Sequence, residues 1–238
     1  MIQPTAPAQP HVAANGPVPP LKDGDRLTRA EFERRYEAMP ELKKAELING
    51  VVHMPSPIRY SEHARPDRLL NLWLCVYELH TQGVEGGNNP SVRLGVDSEP
   101  QPDLMLMISA GRWGRVRITE DHYLEGGPEF MAEISASSVA LDLGEKLELY
   151  QESGVGEYVV WRVLDQEVDW FVRRDGRFQR LAMDDHGIYR SEGFPGLWLD
   201  VPALVRGDVQ ALAATLQRGL ATPEHAAFVT RLNPPAQS

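Results

Sequence analysis

Residues 101–108 read Gln-Pro-Asp-Leu-Met-Leu-Met-Ile, and residues 129–135 read Glu-Phe-Met-Ala-Glu-Ile-Ser. Each segment is a short, nearly continuous apolar run, which is typical of a strand that is buried on both faces. A carboxylate opens the first run at Asp103, and another interrupts the second at Glu133. Buried charges are costly unless they are paired, and two neighbouring strands would bring these acids together. A divalent metal between the two carboxylates would relieve their repulsion.

The flanking sequence predicts a mixed α/β or α+β domain. Thr28 and Glu31 have the spacing of a capping box at the start of a helix, and Asn49-Gly50 between apolar runs predicts a hairpin. A long amphipathic helix is predicted over residues 62–81. Further strands are predicted over 91–96, 103–108, 129–135, 158–164, 167–173 and 177–181, a loop over 83–90, and helices over 141–152, 208–220 and 223–232.

The 238 residues fit one domain with extensions better than two full domains. Residues 1–25 are rich in proline and predict a disordered tail. We assign residues 26–205 to the central domain and residues 206–238 to a C-terminal helical extension.

Composition excludes several classes of protein. The net charge of −10 argues against a non-specific nucleic-acid coat protein, which needs a basic surface. The single cysteine, Cys75, excludes an internal disulfide framework and a cysteine-rich zinc site. The apolar runs are too short to span a bilayer, and no secretory leader is recognisable, so we expect a cytoplasmic protein.

Several common catalytic motifs are absent from the sequence. It contains no phosphate-binding P-loop, no dinucleotide-binding glycine motif, no nucleophile elbow and no H-E-x-x-H zinc motif. The carboxylates in the apolar strands therefore carry the functional argument. Lys146, on the predicted helix that Asp142 would cap, could orient a water or stabilise charge beside them. Glu46, at the start of the hairpin, is a further candidate.

Together these segments resemble the PD-(D/E)XK nuclease superfamily and, more narrowly, the Uma family of restriction-endonuclease-like proteins. The resemblance covers roughly residues 28–204. The matching segments are Glu46-Leu-Ile-Asn-Gly50, Met54-Pro-Ser-Pro57 with His63, Gln101-Pro-Asp-Leu104, Ala132-Glu-Ile-Ser135, Asp142-Leu-Gly-Glu-Lys146 with Tyr150, and Gly154-Val-Gly-Glu-Tyr158.

The resemblance implies a restriction-endonuclease-like core, with a mixed central sheet flanked by helices, and a magnesium-dependent endonuclease acting on DNA. By resemblance, Asp103 and Glu133 hold Mg²⁺ (or Mn²⁺), and Glu46 joins as a further metal or water ligand. The superfamily lysine usually stands two positions after the glutamate, where this chain has Ser135, so its role passes to Lys146. Two departures affect the loops: Ser-Ala-Ser-Ser at 135–138 replaces the usual Ser-Pro-Ser-Thr, and residues 159–162 lack the usual acidic residue and proline.

Each candidate also has a structural interpretation. Asp103 and Glu133 could be strand carboxylates without a metal, and Lys146 could pair with Asp142 on a solvated helix face. Glu46 could pair at the surface with the lysines at positions 43 and 44. His63 could simply be a residue at the start of a helix. Tyr150 could simply pack against the sheet. The basic and aromatic run at 112–117 suits either a loop that binds a nucleic-acid backbone or a solvated loop.

Three functions stay open at this point. The first is the metal-dependent DNA endonuclease, which would act as a homodimer if it cuts both strands, because antiparallel strands need two symmetric sites. The second is a non-catalytic module on the same scaffold that binds nucleic acid or protein. The third is an RNA or nucleotide phosphodiesterase with the same metal site.

Overall fold

The computed structural model describes residues 17–234. The helices are α1 (Arg29–Glu37), α2 (Arg65–His80), α3 (Val139–Asp142), α4 (Glu145–Glu152), α5 (Val201–Arg206), α6 (Val209–Leu220) and α7 (Pro223–Leu232), with a π-helix at Tyr60–Ala64 that leads into α2. The strands are β1 (Glu46–Ile48), β2 (Val51–His53), β3 (Val84–Asn88), β4 (Val92–Arg93), β5 (Leu104–Ile108), β6 (Arg117–Ile118), β7 (Leu124–Glu125), β8 (Phe130–Ser135), β9 (Glu157–Arg162), β10 (Glu167–Arg174), β11 (Arg177–Arg180), β12 (Ile188–Arg190) and β13 (Trp198–Asp200).

A mixed six-stranded sheet forms the centre of the fold, in the order β11-β10-β9-β8-β5-β3. The pair β8 and β9 is parallel, and the other neighbouring strands are antiparallel. In the register of β5 and β8, Leu104 lies opposite Ala132. The next pair in this antiparallel register is Asp103, just before β5, and Glu133, just after Ala132. The register therefore brings the two acids side by side at one end of the sheet.

Helices cover both faces of the sheet, as a mixed sheet flanked by helices requires. Alternate residues of β5 divide between two cores, with Leu106 packing on the side of α2, α6 and α7, and Met105 on the side of α4 and the β1–β2 hairpin. On the first side, the Trp73 indole of α2 donates to the Trp198 carbonyl over 2.8 Å. Because side chains alternate along a strand, the acids at odd positions on β5 and β8 belong to the α4 side.

Local signals explain several elements. The Thr28 side chain accepts from the Glu31 amide and caps α1, although the reciprocal bond of a full capping box is replaced by ion pairs from Glu31 to arginines. Asn49 and Gly50 have φ values of 49° and 76°, as a tight hairpin turn requires. The predicted hairpin is confirmed, and the helices predicted over 208–220 and 223–232 are confirmed as α6 and α7.

Two secondary-structure predictions for the segment between α2 and β5 are wrong. Residues 83–90 were predicted as a loop, but they contain β3, the edge strand next to β5. Gly86 and Gly87 supply no apolar signal there, and a side chain at Gly86 would lie 2.9 Å from the Glu78 carboxylate. The strand predicted over 91–96 is reduced to Val92–Arg93. The pattern also missed β6, β7, β12, β13 and α5, most of which are only two or three residues long.

The helix predicted over 141–152 is broken at Gly144. A Cβ at this glycine would lie 2.5 Å from the Ala140 carbonyl oxygen, so no other residue fits without a shift. Asp142 consequently ends α3 instead of capping α4, and its carboxylate is buried. The prediction of Asp142 as the cap of a single helix is therefore wrong, and this side chain is free to join the site described below.

The domain boundaries stay predictions, because residues 1–16 and 235–238 lie outside the described part of the chain. Leu21, within the segment assigned to the tail, is buried in a small cluster with Phe32 of α1. Leu216 and Phe228, within the predicted extension, belong to the main core. Over residues 17–234, no helix is both long and apolar enough to cross a membrane.

Candidate active site

Asp103 and Glu133 meet where β5 begins and β8 ends. The Ile134 amide donates to Asp103 Oδ2 over 2.8 Å, and the Asp103 amide is 3.3 Å from Glu133 Oε2. Each residue is only 3% exposed. The sheet register thus fixes two nearly inaccessible carboxylates beside each other.

Lys146 joins this pair from α4. Its Nζ lies 2.9 Å from Glu46 Oε1, 3.0 Å from Glu133 Oε1 and 3.7 Å from Asp142 Oδ1. The residue is 2% exposed, so the alternative of a solvated pair with Asp142 alone is wrong. One ammonium group therefore holds three carboxylates that come from different parts of the chain.

Glu46, the first residue of the hairpin, is buried. The Gln101 amide donates to its Oε1 over 2.8 Å, which ties the start of β1 to the segment before Asp103. The alternative of a surface pair with its neighbouring lysines is wrong, because Lys44 Nζ instead lies 2.8 Å from Asp103 Oδ1 and 2.9 Å from Asn89 Oδ1. Asp103 therefore has a lysine of its own.

His63 contacts Asp103 from the π-helix. Its Nε2 is 3.3 Å from Asp103 Oδ2, and this hydrogen bond raises the pKa of His63. One helical turn later, Asp67 Oδ1 is buried without a hydrogen-bond partner among the described residues. Burial, together with the Asp103 charge, raises the pKa of Asp67. The π-helix and the first turn of α2 thus add an imidazole and a further carboxyl group to the surroundings of Asp103.

Two hydroxyl groups fix the carboxylates around Lys146. Tyr150 is buried, as expected for packing against the sheet, and its hydroxyl also donates to Glu133 Oε1 over 3.0 Å. Ser138 donates to Asp142 Oδ2 over 2.6 Å. These bonds hold both acids in single orientations.

We call this group the acidic cluster: Glu46, Asp103, Glu133 and Asp142 with Lys44 and Lys146. The surroundings shift the pKa of Glu133 and the pKa of Asp103 in opposite directions. Burial raises the pKa of Glu133, and the neighbouring carboxylates add to this effect. Burial also acts on Asp103, but the hydrogen bond from His63 and the charge of Lys44 outweigh it and lower the pKa of that group. Burial lowers the pKa of Lys146, but the surrounding acids outweigh burial and raise it well above the usual value.

The acidic cluster fits a divalent cation in chemistry and charge. Its four carboxylates outnumber its two ammonium groups, so it carries two excess negative formal charges when His63 is neutral. Carboxylate oxygens are the donors that Mg²⁺ prefers, and a divalent charge matches the excess. In residues 17–234, no three acidic, histidine or cysteine side chains stand in a ready-made metal geometry. Instead, Lys44 and Lys146 form ion pairs with some of the carboxylate oxygens.

The structure brings together the four residues predicted from the sequence, Glu46, Asp103, Glu133 and Lys146. It adds Lys44, which sequence reasoning had treated only as a surface partner. The spacing of Lys44 and Glu46 was the available signal, because alternate residues of an extended segment share a face. Asp67 carried a similar signal, four residues after His63 on one helix.

The basic and aromatic run at 112–117 lies away from the acidic cluster. It follows the C-terminal end of β5, whereas Asp103 precedes the N-terminal end. Its Arg112 donates to the Leu232 carbonyl at the end of α7 over 2.8 Å, and the Arg115 amide donates to Glu129 before β8. This loop therefore packs at the opposite end of the central strands.

Comparisons with known proteins identify the fold and the family. A crystal structure described as "a putative nuclease belonging to DUF820 from Anabaena variabilis ATCC 29413" is similar, with a TM-score of 0.55 and 14% identity. The similarity covers 73% of this chain and 96% of that chain, and at this identity it shows the fold alone. No curated protein matches the sequence.

Residues 29–202 match the family described as "Uma2: Putative restriction endonuclease". The chain therefore belongs to this family. The predictions of the family and of a mixed sheet flanked by helices are confirmed.

Proposed function

We propose that the protein is a magnesium-dependent endonuclease that hydrolyses phosphodiester bonds in DNA. The observation that carries the proposal is the position of Lys146 Nζ, within 3.0 Å of both Glu46 and Glu133, whose strand neighbour is Asp103. A buried lysine among excess carboxylates suits hydrolysis of a phosphodiester, where anionic ligands, a cation and a water must meet. Membership of the family supports a nuclease, and the choice of DNA and of Mg²⁺ belongs to the proposal.

In this proposal Asp103 and Glu133 hold the metal, with Glu46 as a further metal or water ligand. Mn²⁺ is expected to substitute for Mg²⁺, since both prefer oxygen donors. When bound, the metal supplies an activated water and neutralises charge on the scissile phosphate. Lys146 keeps its proton because of the surrounding acids, so it acts as a fixed cation that orients the water or stabilises developing negative charge.

Lys44 and His63 have supporting roles. Both contact Asp103, so they hold its carboxylate toward Glu133 and limit the repulsion between the two acids. Lys44 contacts the carboxylate that would hold the metal, so its ammonium group would be a second cation for the phosphate of the substrate.

Cleavage of supercoiled plasmid DNA tests the proposal. Wild type is expected to nick or linearise the plasmid only with Mg²⁺ or Mn²⁺, and Asp103→Asn is expected to lose this activity. Asp185→Asn is the matched control, because Asp185 is an exposed turn residue. Full metal-dependent activity in Asp103→Asn would refute the assignment of this carboxylate. RNA of the same sequence, assayed in parallel, distinguishes the DNA endonuclease from an RNA phosphodiesterase.

The second candidate function is a non-catalytic module that binds nucleic acid or protein. The occupation of Asp103 by Lys44 favours it, because a carboxylate that is paired within the chain needs no metal. Nucleic-acid binding without cleavage of plasmid, single-stranded DNA or RNA in either metal would support this candidate. If the chain does cut both DNA strands, we expect a homodimer in sedimentation experiments.

A further inference from the structure

Seven consecutive residues, at positions 55–61, are exposed, and the last two of them begin the π-helix. Two of them are large and apolar: Ile58 is 69% exposed and Tyr60 is 75% exposed. The other exposed large apolar side chains in the described part of the chain stand at least nineteen residues (79 − 60) from this pair in the sequence. Single exposed apolar residues are common, whereas adjacent ones mark a surface that binds something.

This segment, residues 55–61, is joined to the acidic cluster by direct contacts. The Arg59 carbonyl accepts from the His63 amide over 3.0 Å, and His63 contacts Asp103. Tyr60 is only three residues before His63 in the same π-helix. Short π-helices often occur at functional sites. The exposed ring is thus within one helical turn of His63, which contacts the proposed metal ligand Asp103.

The chemistry of the segment fits one strand of a nucleic acid. Tyr60 offers an exposed aromatic face, on which bases of any sequence can stack. Arg59 has 74% of its side chain exposed, and its pair with Glu62 is long at 3.3 Å, so the guanidinium is available to a phosphate. An aromatic ring beside an exposed cation is the combination that single-strand binding surfaces use.

We propose that residues 55–61 form a substrate rim, on which Tyr60 stacks a base that has left the helical stack, while Arg59 binds an adjoining phosphate. Ile58 covers the other exposed edge of that base. The proposal rests on the proposed function, and it deepens it by naming the substrate: a nucleic-acid strand that is single or locally unpaired near the cleaved bond. Paired bases within a duplex hide their faces and would not engage Tyr60.

Fluorescence anisotropy tests the rim without any cleavage. The parent for all variants is Asp103→Asn in EDTA, with a labelled single-stranded DNA oligonucleotide and the corresponding duplex as probes. The parent is expected to prefer the single strand, and Tyr60→Ala is expected to weaken that binding by about tenfold, as for the loss of one stacked base. Tyr60→Phe keeps the ring and is expected to bind like the parent.

Leu79→Ala is the matched control. Leu79 is 80% exposed and lies near the other end of α2, so its truncation removes a similar apolar surface far from the site. Parent-like binding by Tyr60→Ala, or equal losses in Tyr60→Ala and Leu79→Ala, would overturn the rim.

The outcomes separate the rim from the nuclease. If the wild type cleaves DNA while Tyr60→Ala binds normally, the rim is wrong and the nuclease stands. If Tyr60→Ala loses binding while the wild type cleaves nothing, the rim is supported as a binding surface and the nuclease is wrong. If the parent binds neither probe, the rim is wrong.

Discussion

Two buried glutamates on neighbouring parallel strands behave in opposite ways. Glu157 of β9 is 1% exposed and accepts four hydrogen bonds from neutral donors: the Trp170 indole, the Ser191 hydroxyl and the amides of Glu192 and Gly193. Glu133 of β8 is 3% exposed and lies about 10 Å further along the sheet by strand geometry, three residues on in the register. Its partners are a lysine, a tyrosine and the amide of another acid.

The difference shows how a structural carboxylate can be told from a functional one. Four neutral donors satisfy the lone pairs of Glu157 and fix the loop after β12 against the sheet. Around Glu133, by contrast, two more carboxylates share its lysine and the charge of Asp103 lies nearby, so the arrangement is electrostatically unfavourable by itself. Such arrangements are typical of sites where the strain serves a ligand or a reaction.

The largest expected effect is on activity, in Glu133→Gln. Loss of one ligand carboxylate should reduce metal-dependent cleavage by at least about 100-fold. Its stability should stay equal or rise, because the cluster loses one of its excess charges. Plasmid cleavage and urea unfolding measure the two effects. A large loss of stability would show that Glu133 has a structural role like that of Glu157.

The reciprocal variant, Glu157→Gln, is expected to destabilise the fold by about 2–3 kcal/mol, since an amide cannot accept all four hydrogen bonds. Cleavage by the folded protein should change little. Urea unfolding at neutral pH gives the first quantity, and plasmid cleavage well below the midpoint gives the second. Abolished cleavage in a protein that is still folded would contradict a purely structural role.

A third buried acid extends the comparison to pH. Glu99 has neither the neutral donors of Glu157 nor the lysine of Glu133, because both of its oxygens lack a hydrogen bond within the described chain. Burial, together with the nearby Glu33, raises the pKa of Glu99 to about 8. Arg93 and Arg29 only partly offset this shift. The folded state therefore keeps a proton that the unfolded chain loses near pH 4.5, so stability falls as pH rises from about 4.5 to about 8.

For Glu99 the slope is up to about 1.4 kcal/mol per pH unit within that window. The Glu99→Gln variant removes this proton and should have a shallower dependence of unfolding free energy on pH than the wild type. Denaturant unfolding between pH 5 and pH 8 measures both proteins. Parallel curves would show that Glu99 does not titrate in this range.

The smallest expected effect belongs to Ser138→Ala. The change removes the 2.6 Å hydrogen bond to Asp142 and loosens one of the acids around Lys146. A bond of this kind contributes about 1 kcal/mol, so cleavage should fall by about fivefold, with the fall in kcat. Ser138→Thr, which keeps the hydroxyl, should restore activity. Equal losses in both variants would indicate a packing effect instead.

Much of the fold was predictable because its strands carry continuous apolar runs and its turns carry Asn-Gly or glycine. The edge strand β3 was not, because its Val-Glu-Gly-Gly-Asn sequence gains its structure from pairing with β5. The break at Gly144 was also hidden, since it depends on the close approach of the Ala140 carbonyl. Such contacts exist only after the chain has folded.

The candidate site was predictable where charge interrupts an apolar run, as at Asp103 and Glu133. Lys44 and Asp67 were missed because each lies in a segment that reads as an ordinary surface. The ion pair of Lys44 with Asp103, and the place of Asp67 near the Asp103 charge, depend on how the hairpin and α2 pack around the sheet end. Tertiary packing therefore decides which charged residues join the cluster, and the sequence pattern alone does not.

The most direct test of the central claim is calorimetric titration of Mn²⁺ into three proteins. The wild type and Glu157→Gln are expected to bind the metal with similar affinity, whereas Glu133→Gln is expected to show little or no binding heat. This result would place the metal at the acidic cluster, which contains Glu133, and would exclude Glu157 as a metal ligand. Equal binding by wild type and Glu133→Gln, or none by the wild type, would contradict the account.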